Sequence, residues 1–204
     1  MYNVLVCDDE KDIVSALQIY LKSEGYQVFS AYNGKEALKI INREDIQLVL
    51  MDIMMPEMDG IELCDRLKNN LATSHIPVIL LTAKSDEEST MAGFKSGAEA
   101  YVAKPFDPQL LALRVKNILR ARRAYIDSKI EDSSVDEPIE ELPPLNKFDN
   151  EFITRINQLI DDNMDNSEFS IADITRELAI SRSLLHIKMK TFFNSSMTDY
   201  IKQR

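Results

Sequence analysis

Cysteine is scarce in this 204-residue chain, and the two present, Cys7 and Cys64, share no framework spacing. Isolated thiols of this kind exclude a disulfide-stapled fold, argue against structural zinc and fit a reducing compartment. Both lie in apolar patterns and read as packing residues. Long hydrophobic runs are missing as well, since none approaches the roughly 18 residues of a bilayer-spanning helix. The start, Met1-Tyr2-Asn3, lacks a basic segment followed by an apolar one, so no leader is signalled. A soluble, cytoplasmic protein with no membrane insertion is expected. No internal repeat is found. Positive charge is in deficit, with 24 Lys and Arg against 34 Asp and Glu. The deficit is uneven: residues 124–146 hold 1 basic and 7 acidic groups, whereas residues 176–204 hold 6 basic and 2 acidic. A basic stretch in an acidic protein is the footprint of a phosphate-facing surface.

What the chain does have is alternation. Asn3 to Cys7 reads as a strand, Lys11–Lys22 as a helix ended by Gly25, Gln27–Ser30 as a strand, Gly34–Asn42 as a helix and Gln47–Met51 as a third strand. A helix near Asp59–Asn69, a strand Pro77–Thr82, a helix near Glu87–Lys95, a strand around Ala100–Val102 and a long helix from Asp107 to Tyr125 follow. Five strand–helix pairs predict an α/β fold with a parallel, doubly wound sheet covered on both faces. Right-handed crossovers gather all the strand ends on one edge.

That edge collects chemistry. Asp8 and Asp9 follow strand one, Asp52 ends the run Leu48-Val49-Leu50-Met51, Thr82 ends strand four and Lys104 follows strand five. An isolated Asp at a strand end is more often a helix cap. Three carboxylates with a hydroxyl and an ammonium are a mixture that no apolar core requires. Hard oxygen ligands at this density suit Mg²⁺.

These residues resemble the receiver domain of two-component response regulators. The resemblance rests on Asp8-Asp9, Asp52 with Pro56 and Gly60, Thr82-Ala83, and Lys104-Pro105, and covers residues 2–123. It implies a five-stranded, flavodoxin-like receiver over residues 1–125, with Asp52 as phosphoacceptor from a sensor histidine kinase. It further implies that Asp9, Asp52 and the Met54 carbonyl hold Mg²⁺, with Asp8 acting through water. Lys104, Thr82 and Ala83 would face the phosphoryl group, and Tyr101 would follow Thr82 inward as a switch; a plain edge-strand aromatic explains Tyr101 equally well. Met54 offers no hydrogen bond to an attacking water and Lys84 is long and cationic, so slow loss of phosphate is expected. A homodimer on phosphorylation is implied, without enzymatic activity beyond slow autodephosphorylation.

Residues 126–147 are acidic and contain Pro138, Pro143 and Pro144, the composition of a linker. Beyond it, Phe148 to about Met164 carries a helical apolar stripe. Ser170 caps a short helix Ile171–Leu178, a turn runs through Ala179-Ile180-Ser181, a longer basic helix covers Arg182–Phe193, and a last one lies near Met197–Lys202. A short helix, a tight turn and a longer basic helix form a helix-turn-helix pattern, predicting a small all-α domain.

Residues 148–204 resemble the start of an AraC-type DNA-binding domain, on Phe169-Ser170-Ile171, Leu178, Ile180-Ser181-Arg182, Leu185, Met189-Lys190 and Asp199-Tyr200-Ile201. Asn194 stands where a glycine is usual. By that resemblance Ser183, His186 and Ile187 face base edges, while Arg182, Lys188 and Lys190 contact phosphates. An exposed polar residue accounts equally well for His186. A single helix-turn-helix offers part of the usual phosphate contacts, so weak DNA affinity is expected. The leading reading is a phosphorylation-controlled transcription regulator. The alternatives are a phosphorelay receiver acting through protein contacts and a haloacid-type phosphatase, against which Asp52 comes late in the chain.

Overall fold

Branched apolar residues fill the three middle strands of a single sheet. The computed structural model describes residues 1–83, 96–130, 147–164, 169–193 and 195–203. Strands β1 (Asn3–Cys7), β2 (Gln27–Ala31), β3 (Leu48–Asp52), β4 (Val78–Ala83) and β5 (Ala100–Lys104) pair in parallel, in the order β2-β1-β3-β4-β5. The five-stranded parallel sheet is the one expected. Successive side chains point to opposite faces. Leu5, Cys7, Val49, Met51, Val78 and Leu80 therefore line one core, which helices α2 (Gly34–Ile41) and α3 (Gly60–Lys68) cover. Val4, Val6, Leu48, Leu50, Ile79 and Leu81 line the other, under α1 (Lys11–Ser23) and α4 (Pro108–Ile130). Burial on both faces explains why these strands read as unbroken apolar runs. Each fully buried aliphatic side chain contributes about 1.5–3 kcal/mol.

Helix starts are set by side-chain caps. Asn33 accepts the Glu36 N–H at 2.9 Å to begin α2, and Asp59 accepts the Glu62 N–H at 2.7 Å to begin α3. Such caps are worth about 1 kcal/mol each. At the amino edge of the sheet, the Lys68 ammonium meets Glu99 Oε1 at 2.7 Å and the Ile76 carbonyl at 2.8 Å, while Glu99 Oε2 accepts the Val78 N–H at 2.6 Å. The helix expected near Glu87–Lys95 lies outside the described residues.

The chain divides into two compact units, Met1–Arg120 and Ala121–Arg204. In the second, α5 (Lys147–Asp161), α6 (Ile171–Glu177), α7 (Arg182–Phe193) and α8 (Met197–Gln203) enclose Phe152, Ile153, Ile156, Ile160, Ile174, Leu185, Met189, Phe192 and Tyr200. Ser170 caps α6 through a reciprocal capping box with Asp173. Helix α4 extends past the expected end near Tyr125, to Ile130. The run Arg120-Ala121-Arg122-Arg123-Ala124 consists of strong helix formers, which favours that continuation. Most of the expected linker, residues 131–146, lies outside the described residues. Among the described residues no helix is long and apolar enough to cross a membrane.

Candidate functional site

The strand order reverses direction at β1, which has β2 on one side and β3 on the other. In open α/β sheets, ligands bind beyond the carboxyl ends of the strands at such a reversal. Cys7 is level with Met51, so the residues that follow, Asp8 and Asp52, flank that crevice. Lys104 ends β5, level with Ala83. Its ammonium lies 2.9 Å from Asp52 Oδ2, 2.8 Å from Asp8 Oδ2 and 3.3 Å from Glu10 Oε1. Asp8 is fully buried and Asp52 is 6% exposed.

Three acids around one base leave negative charge in excess. Burial raises the Asp52 pKa above the usual aspartate value; Lys104 pulls it down and Asp8 pushes it up again. Burial works to lower the Lys104 pKa, but its bonds and charge contacts with Asp8 and Asp52 more than offset this and raise it. Ligand oxygens of Asp8, Glu10 and Asp52 lie within 4.8 Å of one another. Asp8 Oδ2 is buried and meets the Lys104 ammonium at 2.8 Å, and a carboxylate oxygen accepts more than one partner, so it keeps acceptor capacity. Clustered hard oxygens with that capacity fit a divalent cation such as Mg²⁺.

The membership of this cluster departs from expectation in one place. Asp8 Oδ1 accepts the Glu10 N–H at 2.9 Å, and this tight turn leaves Asp9 exposed and outside the oxygen cluster. Glu10 supplies the third oxygen of the cluster. The signal was present as an Asp-x-Glu at the start of α1, because an Asx turn brings residues two apart together.

The supporting residues are arranged around Asp52. The Met54 N–H bonds to its carboxylate, and the Met54 side chain is 67% exposed at the rim. Gly60 donates its N–H to the Ile53 carbonyl at 2.9 Å, and a Cβ added there would lie 2.2 Å from the Asp52 carbonyl oxygen. Only glycine fits that approach. Thr82 is buried, with its hydroxyl donating to the Ala83 carbonyl at 3.2 Å; Ala83 itself is exposed. Leu80 is level with Tyr101, so Thr82 and Tyr101 share one sheet face. The Tyr101 hydroxyl is buried toward Ser96, and burial pushes its pKa up to about 12. Lys84 lies outside the described residues.

In the second unit, Arg182, Ser183, His186, Ile187 and Lys190 are exposed along one side of α7. The structure does not bring Lys188 to that side. Its side chain is fully buried, with the ammonium 2.6 Å from Asp149 Oδ1 and 5.1 Å from the Phe192 ring centre. Lys188 shares the inner face with Leu185, Met189 and Phe192, so the expected phosphate contact is corrected to a buried ion pair. Asn194 lies outside the described residues. The turn before α7 carries Ala179 at φ 52°, a left-handed conformation that favours glycine. Ser181 Oγ then accepts the Leu184 N–H at 3.1 Å to start α7.

The sequence profile of the response regulator receiver domain matches residues 4–116. Response regulator SaeR of Staphylococcus aureus is 40% identical over 137 residues, 67% of this chain and 59% of SaeR. Histidine kinase P4 of Formosa agariphila is 34% identical over 200 residues, 98% of this chain but 14% of that protein. The chain thus spans less than two thirds of either relative. Among solved structures, the receiver domain of Francisella response regulator 1452 superposes with a TM-score of 0.54 at 37% identity, covering 60% of this chain and 98% of that one. The signal receiver domain of a histidine kinase from Syntrophus aciditrophicus gives 0.56 at 31%, covering 68% and 100%.

Proposed function

This chain belongs to the response regulator receiver domain family, and on that premise we propose that Asp52 accepts a phosphoryl group from the phosphohistidine of a sensor histidine kinase. The observation that carries the proposal is the Asp52 carboxylate, buried at the strand reversal and paired to Lys104 at 2.9 Å. An oxygen of Asp52 attacks phosphorus in line, the N–P bond breaks as the O–P bond forms, and the bonding pair returns to the histidine nitrogen, where the ring takes up a proton from solvent and leaves as the neutral imidazole. Such transfer depends on positioning and charge neutralisation more than on added covalent machinery. Lys104 neutralises phosphoryl oxygens and holds Asp52 in place. Asp8 and Asp52, with Glu10 or Asp9 and the Met54 carbonyl, would hold Mg²⁺. The bound ion would supply further positive charge beside the transferring group. Thr82 is one residue beyond the level of Asp52 on the neighbouring strand, within reach of a phosphoryl oxygen if its hydroxyl leaves the Ala83 carbonyl. Tyr101, on the same face, would then repack and carry the change to the surface.

The output reading is DNA binding by an AraC-type helix-turn-helix, α6 and α7, whose exposed face carries Arg182, Ser183, His186, Ile187 and Lys190. Phosphorylation would control transcription through it, with dimerisation as the intermediate event. A second arrangement has a specific basis: the match to Histidine kinase P4 runs through both units, so receiver and helical unit could work within one kinase polypeptide.

Incubation with a small phosphodonor and Mg²⁺, read by intact mass and by oligomeric state, tests the central step. The wild-type chain gains one phosphoryl group and Asp52→Ala gains none. Uptake that survives the substitution would overturn the assignment.

A further inference from the structure

Lys188 and Asp149 are both fully buried, and their charged ends meet at 2.6 Å between α7 and α5. Asp149 also takes the Arg122 guanidinium at 3.2 Å through its second oxygen. The Lys188 ammonium lies 6.0 Å from the Phe152 ring centre and 5.1 Å from that of Phe192, so aromatic faces flank the charge. Replacing a buried ion pair by apolar residues of similar volume is often neutral or stabilising, so stability alone does not account for this arrangement. What a buried pair adds is register, as a single polar residue does in a helical interface. Leu185, Met189 and Phe192 could meet the core in several slightly rotated settings of α7. An ammonium that must find Asp149 has one.

We infer that the Lys188–Asp149 pair, steadied by Arg122, is a positioning device that sets the rotation of α7 and so presents Arg182, Ser183, His186, Ile187 and Lys190 together to a DNA groove. The inference rests on the DNA-binding reading and assigns Lys188 a role without contact to DNA. Each residue of a helix turns it by about 100°. A rotation of a fraction of that step would carry His186 or Lys190 away from a shared surface while leaving the basic character of the helix intact. Non-specific attraction to phosphates survives such a change, and base discrimination does not.

The test compares the full chain with the double variant Asp149→Leu/Lys188→Met. Each binds two fluorescent duplexes at low salt: one selected by the wild-type chain from a randomised pool, one of scrambled sequence. Circular dichroism melting is recorded alongside. The expected result is unchanged helix content and melting, an unchanged salt dependence on the scrambled duplex, and a loss of about tenfold in preference for the selected one. A folded double variant that keeps its preference overturns the inference. Asp149→Glu and Asp149→Asn, compared at equal helix content, guard against misfolding of the double variant. The Glu variant retains the preference and the Asn variant loses it; equal behaviour of the two overturns the inference. If the wild-type chain shows no salt-dependent binding to any duplex, the DNA-binding reading itself fails and the inference falls with it.

Discussion

Asp52 is held between opposing demands. Burial and Asp8 favour its neutral form, while Lys104 favours the carboxylate, and the balance leaves its pKa raised. A carboxyl group that holds its proton to higher pH in the folded than in the unfolded state makes folding less favourable as pH rises through that window. Asp52→Asn removes the penalty. Its Tm should therefore exceed that of the wild type at neutral pH, in the absence of divalent ions, and the gap should close on acidification below the ordinary aspartate value of about 4. A gap independent of pH would mean that charge is not its source. At the rim, Met54→Asn places a hydrogen-bonding group beside the attacking water, and dephosphorylation followed by mass should accelerate several-fold; an unchanged or slower rate would refute the expected role of Met54. Asp8, Asp52, Thr82 and Lys104 were legible in the sequence because each stands at a strand end, where spacing alone assigns the edge. Glu10 is signalled only by the Asp-x-Glu spacing, because its place depends on a turn within Asp8-Asp9-Glu10. Lys188 was misread for a physical reason: lysine is almost never fully buried unless paired. Its partner Asp149 lies 39 residues away in sequence, and no helical periodicity reveals it.

Two connecting elements carry demands that their neighbours do not. The loop from β3 to α3 folds back until Gly60 touches the Asp52 backbone, so Gly60→Ala must displace the Asp52 carbonyl. The expected cost is about 1–3 kcal/mol of stability in urea denaturation, with slower phosphoryl uptake. Loss of stability without any change in uptake would separate the loop from the chemistry. The turn between α6 and α7 shows the opposite case. Ala179 occupies a left-handed conformation that disfavours any residue with a Cβ, and Ala179→Gly should stabilise the second unit by about 0.5–1 kcal/mol, read by hydrogen exchange of α6 and α7. At this scale the sequence was informative about order and type. Helix α7 matches the expected Arg182–Phe193, since Ser181 caps it at one end and the apolar stripe stops at the other. Most other boundaries shifted by one or two residues, because helix ends depend on caps and strand ends on pairing as well as on apolar periodicity.

At the scale of the molecule, apolar periodicity predicted the sheet, whereas the division into two units falls between Arg120 and Ala121, ahead of the acidic, proline-bearing segment; how those units work together is written in no local pattern. The parallel sheet gives the first unit two unlike ends. Its carboxyl edge holds Asp8, Asp52 and Lys104. Its amino edge holds the Lys68–Glu99 pair and the bond from Val78 N–H to Glu99, at the opposite end of the strands from Asp52. Glu99→Gln breaks the charge pair but keeps a hydrogen-bonding side chain, and should cost about 1–3 kcal/mol in denaturant while leaving the rate of phosphoryl uptake per folded molecule unchanged. In a cell the two edges would then fail differently. On the proposed reading, damage at the carboxyl edge would leave a full complement of protein unable to take up a phosphoryl group, whereas damage at the amino edge would lower the amount of a protein that still can.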